Sequence, residues 1–169
     1  MASLATTLGL RAASSISTPH NHAPAFLGFH FLFAYNILSS RALKQYYGID
    51  HNASPREDLA KHGDAAVRSG KITQKQLDML RRNEAAHANA VENYALFGAA
   101  MSFATLARVE PQYVNRAGLV YTAARVAYGL AYILIDHPLW SRIRGVMWWT
   151  GNVSCLWLLW RAWGKLSEA

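Results

Sequence analysis

The chain has 169 residues, 52% of them hydrophobic and 16% charged, with 17 Lys and Arg against 10 Asp and Glu for a formal net charge of +7. Nine of the 17 basic residues fall between Arg41 and Arg82, and all six Trp fall between Trp140 and Trp163. A soluble core mixes these classes along the chain, so the segregation favours a membrane protein. The acids Asp50, Glu57, Asp58, Asp64 and Asp78 dilute the basic stretch and argue against nucleic-acid binding.

Residues 1–23 form a polar tail rich in Ala, Ser and Thr, in which His20 and His22 offer at most adventitious metal binding. A first span is predicted from Pro24 to Leu43, long enough for a bilayer core of ~30 Å, with Arg41, Lys44, Tyr46 and Tyr47 at its interface. A hydrophilic loop follows, broken by Gly48, Pro55, Gly63 and Gly70, and Thr73 is a candidate N-cap for the next helix. The second span, Arg82 to Val109, is the least apolar: its first half is polar and must face protein or water. Pro111 separates it from a third span, Val114 to Ile135, which carries Arg125 at depth. A fourth runs from Ser141 to Trp163, with Trp157, Trp160 and Trp163 as an aromatic belt. Cys155 lies inside this run and reads as packing.

The predicted fold is therefore an all-α integral membrane four-helix bundle, with residues 24–163 as the membrane domain and 164–169 as a short tail. Lys and Arg divide eleven to five between the two sides, which puts the long loop in the cytosol and both termini opposite. The triplets at Asn52 and Asn152 fall in that loop and within a span, so neither is expected to be glycosylated.

Ionisable groups at the centre of a span cost about 2.5–3.5 kcal/mol each on insertion scales, so each needs a reason. At about 100° per residue, Arg82, Asn89 and Asn93 share one face of the second helix, with Glu92 beside it and Glu84 and His87 turned away. Arg125, Tyr128 and Tyr132 share a face of the third helix, which Tyr121 extends, and Arg144 opens the fourth. Pairing of Glu92 with Arg125 would remove the cost of two isolated charges. These groups either hold helices together or converge on a small anionic ligand beside a membrane that supplies a lipophilic partner.

The stretch Glu84-Ala-Ala-His87-Ala-Asn89-Ala-Val-Glu92-Asn93 resembles the second-helix motif of the MAPEG family, membrane-associated proteins of eicosanoid and glutathione metabolism. Arg125, Tyr128 and Tyr132 resemble its third-helix pattern, and Arg144 the Arg that opens its fourth helix. The resemblance implies a homotrimer of four-helix protomers in the endoplasmic reticulum or, alternatively, the outer mitochondrial membrane. It also implies glutathione as cosubstrate, held by Asn89, Glu92, Tyr128 and Tyr132 with Arg125 and His87 in support. Arg144 would stabilise the thiolate, and a lipophilic electrophile or lipid hydroperoxide would be the second substrate. The chain departs from the pattern at Ala85, Ala88, Gly145 and Trp148. Those departures favour the alternative of a non-catalytic relative that binds lipid or a partner. A transporter is disfavoured, since no inverted repeat or matched pair of broken helices occurs.

Overall fold

The computed structural model describes residues 19–168, so most of the tail predicted over 1–23 lies outside the described residues. Helix α1 covers Ala23–Leu32, α2 Arg41–Tyr46, α3 Asp58–Arg68, α4 Gln74–Leu106, α5 Pro111–Leu134 and α6 Ile143–Ser167. Helices α4, α5 and α6 pack on one another, and α1 lies against α4 and α5.

Their bounds follow from local chemistry. Thr73 caps α4 through a capping box in which Thr73 Oγ1 accepts from Gln76 N at 3.2 Å and Thr73 N donates to Gln76 Oε1 at 2.7 Å, satisfying two donors that the first turn leaves free. At the other end Val109 N reaches Ala104 O at 2.9 Å and Arg108 N reaches Thr105 O at 3.1 Å. That is a Schellman closure, with Arg108 in the left-handed region (φ 55°) where glycine is usual. Pro111 in the first turn of α5 then starts the next helix where its missing N–H costs nothing.

The first predicted span is not one continuous α-helix. After Leu32 the backbone runs through a π-helical turn, Phe33–Ile37, and a break before α2. Asn83 Nδ2 on α4 donates to Leu38 O at 2.9 Å, satisfying a carbonyl that the break frees. The hydrophilic loop also holds a helix, α3, that the sequence reading leaves as loop. Its Leu59 and Ala66 join Ile49, Ile72, Leu77 and Leu80 in a small core separate from the bundle. Gly63 lets α3 approach α4, since a Cβ there would stand 2.6 Å from Leu77 Cδ1.

The main core joins Phe97, Ala100, Met101 and Ala104 of α4 to Val114, Ala117 and Tyr121 of α5 and to Cys155, Leu158 and Ala162 of α6. Phe97 and Tyr121 stack at 4.0 Å, and the buried His30 meets both rings edge-on at 4.8 Å. Thr122 Oγ1 donates to Gly118 O, so it accepts from His30 Nε2 at 2.9 Å. Asn115, wholly buried, accepts from His22 N at 2.9 Å and donates to His20 O at 2.8 Å, tying the start of α1 to α5.

Around these cores the helices are clad in apolar side chains. Phe31, Leu32, Ile37, Leu106, Leu134, Val146, Leu156, Trp160 and Trp163 are all exposed, and large apolar side chains in such number on an outer face mark a surface that meets lipid or protein. Among the described residues, α5 is the one helix both long and apolar enough to cross a bilayer by length and composition. The other three fall short of that combined measure for separate reasons. The π turn cuts α1, the first half of α4 is polar, and Gly, Asn, Trp and Arg dilute α6.

Candidate functional site

Five of the residues singled out from the sequence meet along one wall formed by α4, α5 and the start of α6. Arg125 is 2% exposed and donates through Nη2 to Asn89 Oδ1 at 2.9 Å. Its guanidinium lies over the Tyr128 ring, 4.5 Å from the centroid. Tyr128 packs on Tyr132 at 5.4 Å, and Arg144 lies over Tyr132 at 4.4 Å while donating from Nε to Ser141 O at 3.1 Å. The order in space is an amide, a cation, two phenols and a second cation: Asn89, Arg125, Tyr128, Tyr132, Arg144. Stacking on an electron-rich ring face is a favourable way to hold a guanidinium away from water.

The polar stripe of α4 does face α5, as the 3.6-residue period requires. Arg82 Nη1 pairs with Asp136 Oδ1 at 3.1 Å just past the end of α5, and the buried Asn93 accepts from the Tyr121 hydroxyl through its main-chain oxygen at 3.2 Å. The expected Glu92–Arg125 pair is not formed. Glu92 is exposed, and the neutral Asn89 takes its place as the partner of Arg125. Glu92 sits about 60° further round the helix, far enough to leave the α5 interface.

Glu92 and His87 instead line a second place, a cavity of about 520 Å³ between the first helical segment and α4. Tyr35, Ser40, Arg41, Lys44, Arg56 and Glu84 complete much of its lining. His87 Nδ1 stands 2.8 Å from Ala34 O. Lys44, 3% exposed, bonds Glu84 Oε1 at 2.9 Å and the Pro55 carbonyl. The sequence places Arg41 and Lys44 only at the end of the first span; Tyr35, Ser40 and Arg56 carry no motif, and the fold of the first segment and the loop brings them here.

A third recess, about 910 Å³, is an open groove on the outer face of α5 and α6. It is lined by Val120, Val146, Trp149, Val153 and Trp157, with Arg116 and Arg142 at its polar positions.

Helices joined this way, with apolar outer faces and a partly buried wall of stacked cations and phenols, define an all-helical membrane protein. The chain belongs to the MAPEG family, whose model matches residues 23–164. No curated protein and no solved structure gives a significant match to it.

Proposed function

We propose that this protein is a membrane-bound glutathione transferase or peroxidase acting on lipophilic electrophiles or lipid hydroperoxides. The observation that carries the reading is Arg144, half-buried and stacked on Tyr132 rather than extended to solvent. A free thiol has a pKa of about 8.5, and a fixed cation in a poorly solvated place lowers it, so the thiolate exists at neutral pH. The thiolate sulfur then forms a bond to the electrophilic carbon, and the electron pair leaves with the departing group or takes up a proton. In the peroxidase variant two glutathione thiols reduce a hydroperoxide to the alcohol and water and become a disulfide.

In this reading Asn89, Tyr128 and Tyr132 bind the tripeptide, with Arg125 and His87 supporting, and Glu92 meets its amine. The two groups of residues lie on different sides of α4 in one protomer. A homotrimer resolves this by setting the cavity of one copy against the Arg144 wall of its neighbour. The same reading has the chain cross the endoplasmic reticulum membrane four times, within a domain of residues 24–163, with the long loop cytosolic and both termini opposite.

A second reading, a non-catalytic relative that binds lipid or a partner, draws on Ala85, Ala88 and Gly145. Ala85 and Ala88 are exposed and carry no polar group, and open space adjoins Gly145 where a side chain would fit. Ultraviolet difference spectra of the purified protein with glutathione separate the two. A thiolate band at neutral pH that disappears in Arg144→Ala is the result expected of the enzyme. Bound glutathione without such a band favours the second reading, and absence of binding removes glutathione from both.

A further inference from the structure

The hydrophilic segment between the first helical segment and α4 carries a cluster that the glutathione reading does not use. Asp58 and His62 stand one helical turn apart on α3 and so share a face. The preceding turn brings His51 over them: His51 N donates to Asp58 Oδ1 at 3.2 Å, and the His51 and His62 rings stack at 3.9 Å with 30° between their planes. One potential ligand atom from each of the three residues lies within 4.8 Å of the other two. We propose that His51, Asp58 and His62 form a binding site for a divalent transition-metal ion of the zinc type.

Three points support it independently of the reaction. Donors on a tetrahedral zinc stand roughly 3.3 Å apart, given metal–ligand bonds near 2.0–2.2 Å, so the set closes once the two imidazoles swing out of their stack to point at a common centre. Asp58 is 1% exposed, yet its Oδ2 has no hydrogen-bond partner among the described residues; the nearest cation, Lys44 Nζ, stands 3.6 Å away. Lys44 is itself engaged by Glu84 at 2.9 Å, so one lysine is shared between two carboxylates and the closer of them is not Asp58, which keeps part of its charge. Burying that charge without a further cation is costly. The donor set, two imidazole nitrogens and one carboxylate, suits zinc, cobalt, nickel or copper and not calcium or magnesium, which take oxygen ligands. Three protein ligands leave a fourth position for water.

A direct contact of His51 Nδ1 with Asp58 Oδ1, 3.2 Å apart, is the alternative arrangement, and it gives His62 no role. The experiment therefore turns on His62. The full-length chain in detergent, stripped with a chelator, is titrated calorimetrically with Zn²⁺ and by visible absorption with Co²⁺. Wild type is expected to bind one equivalent saturably, with ligand-field bands for Co²⁺ of four-coordinate intensity. His62→Ala and His51→Ala should each weaken Zn²⁺ at least about 10-fold, the lower bound seen even for outer contacts. His20→Ala/His22→Ala should leave it unchanged. If metal-free His62→Ala melts below wild type, His51→Ala carries the comparison. Absence of saturable binding, wild-type affinity in His62→Ala and His51→Ala, or loss confined to His20→Ala/His22→Ala would each overturn the proposal.

Discussion

The two halves of α4 belong to one helix but are held by different forces. From Tyr94 onward its inner face is apolar, with Phe97, Ala100, Met101 and Ala104 packed against α5 and α6. Before Tyr94 its apolar contacts, Leu77 and Leu80 against α3 and Ala90 against Phe33 and Leu38, are joined by polar pairs: Lys44–Glu84 and Asn83–Leu38 O on the α1 side, Arg82–Asp136 and Asn89–Arg125 on the α5 side. Lipid tails are as apolar as leucine, so the second half gains from close packing more than from escaping solvent. The first half gains direction from its hydrogen bonds, at the risk that each lost partner strands a buried polar group. That contrast explains why the ligand-type residues cluster in the first half: polar groups already gathered for assembly are also the ones available for binding.

Truncating the packed half gives the largest expected loss. Phe97→Ala removes a ring stacked on Tyr121 and should cost about 3 kcal/mol, the lower end for such truncations, because separated helices regain apolar contact with lipid. Reversible unfolding in mixed detergent measures it. In the polar half, Asn89→Leu keeps the shape but strips Arg125 of its hydrogen-bonded partner. A loss of about 1.5–3 kcal/mol is expected in the same assay, as for bonds to charged groups. Equal losses for Asn89→Leu and an exposed control would mean that Arg125 does not depend on Asn89.

Smaller effects lie at the junction beyond the packed half. Arg108→Gly relieves a left-handed residue in the Schellman turn and should raise stability by about 1 kcal/mol. Glu110 pairs with Lys165 at 3.2 Å. Its own backbone N–H, and then Lys165, hold the Glu110 carboxyl below the ordinary carboxylate range. A lowered folded-state pKa means the contribution is present above the unfolded value and is lost as pH falls through the folded one. Both partners are largely exposed, so Glu110→Gln should cost no more than about 0.5 kcal/mol at pH 7 and nothing once the pH is below both values. Melting temperatures across that acid range measure it.

Much of this architecture is legible from the residues. Thr73 marks the start of α4, Pro111 the boundary between α4 and α5, and the 3.6-residue period assigns Asn89 and Asn93 to one face and Glu84 and His87 to another. The register between helices is not legible, because periodicity gives a direction around one helix and not a height along its neighbour. For that reason Glu92 looked like the partner of Arg125, a position Asn89 holds. Helix α3 escaped notice because Leu59, Gly63, Ala66 and Val67 have the right spacing but sit among charges and glycines that read as loop. His30 drew no attention because nothing local reveals Thr122 as its partner. The site wall was largely readable, whereas the cavity beside it depends on how a hydrophilic loop folds back.

The π turn at Phe33–Ile37 acts as a length correction in the chain. An ordinary α-helix advances about 100° per residue, so a single surplus residue would rotate everything after it away from its partners. The wider turn absorbs that surplus, as single π turns within helices do. Downstream of it, Lys44 arrives in register with Glu84, and Leu38 offers its carbonyl to Asn83. One residue fewer between Phe33 and Ile37 would return that turn to ordinary α-helix, with the break before α2 still following it. The wide turn and the break after it together set the phasing of the hydrophilic segment against α4.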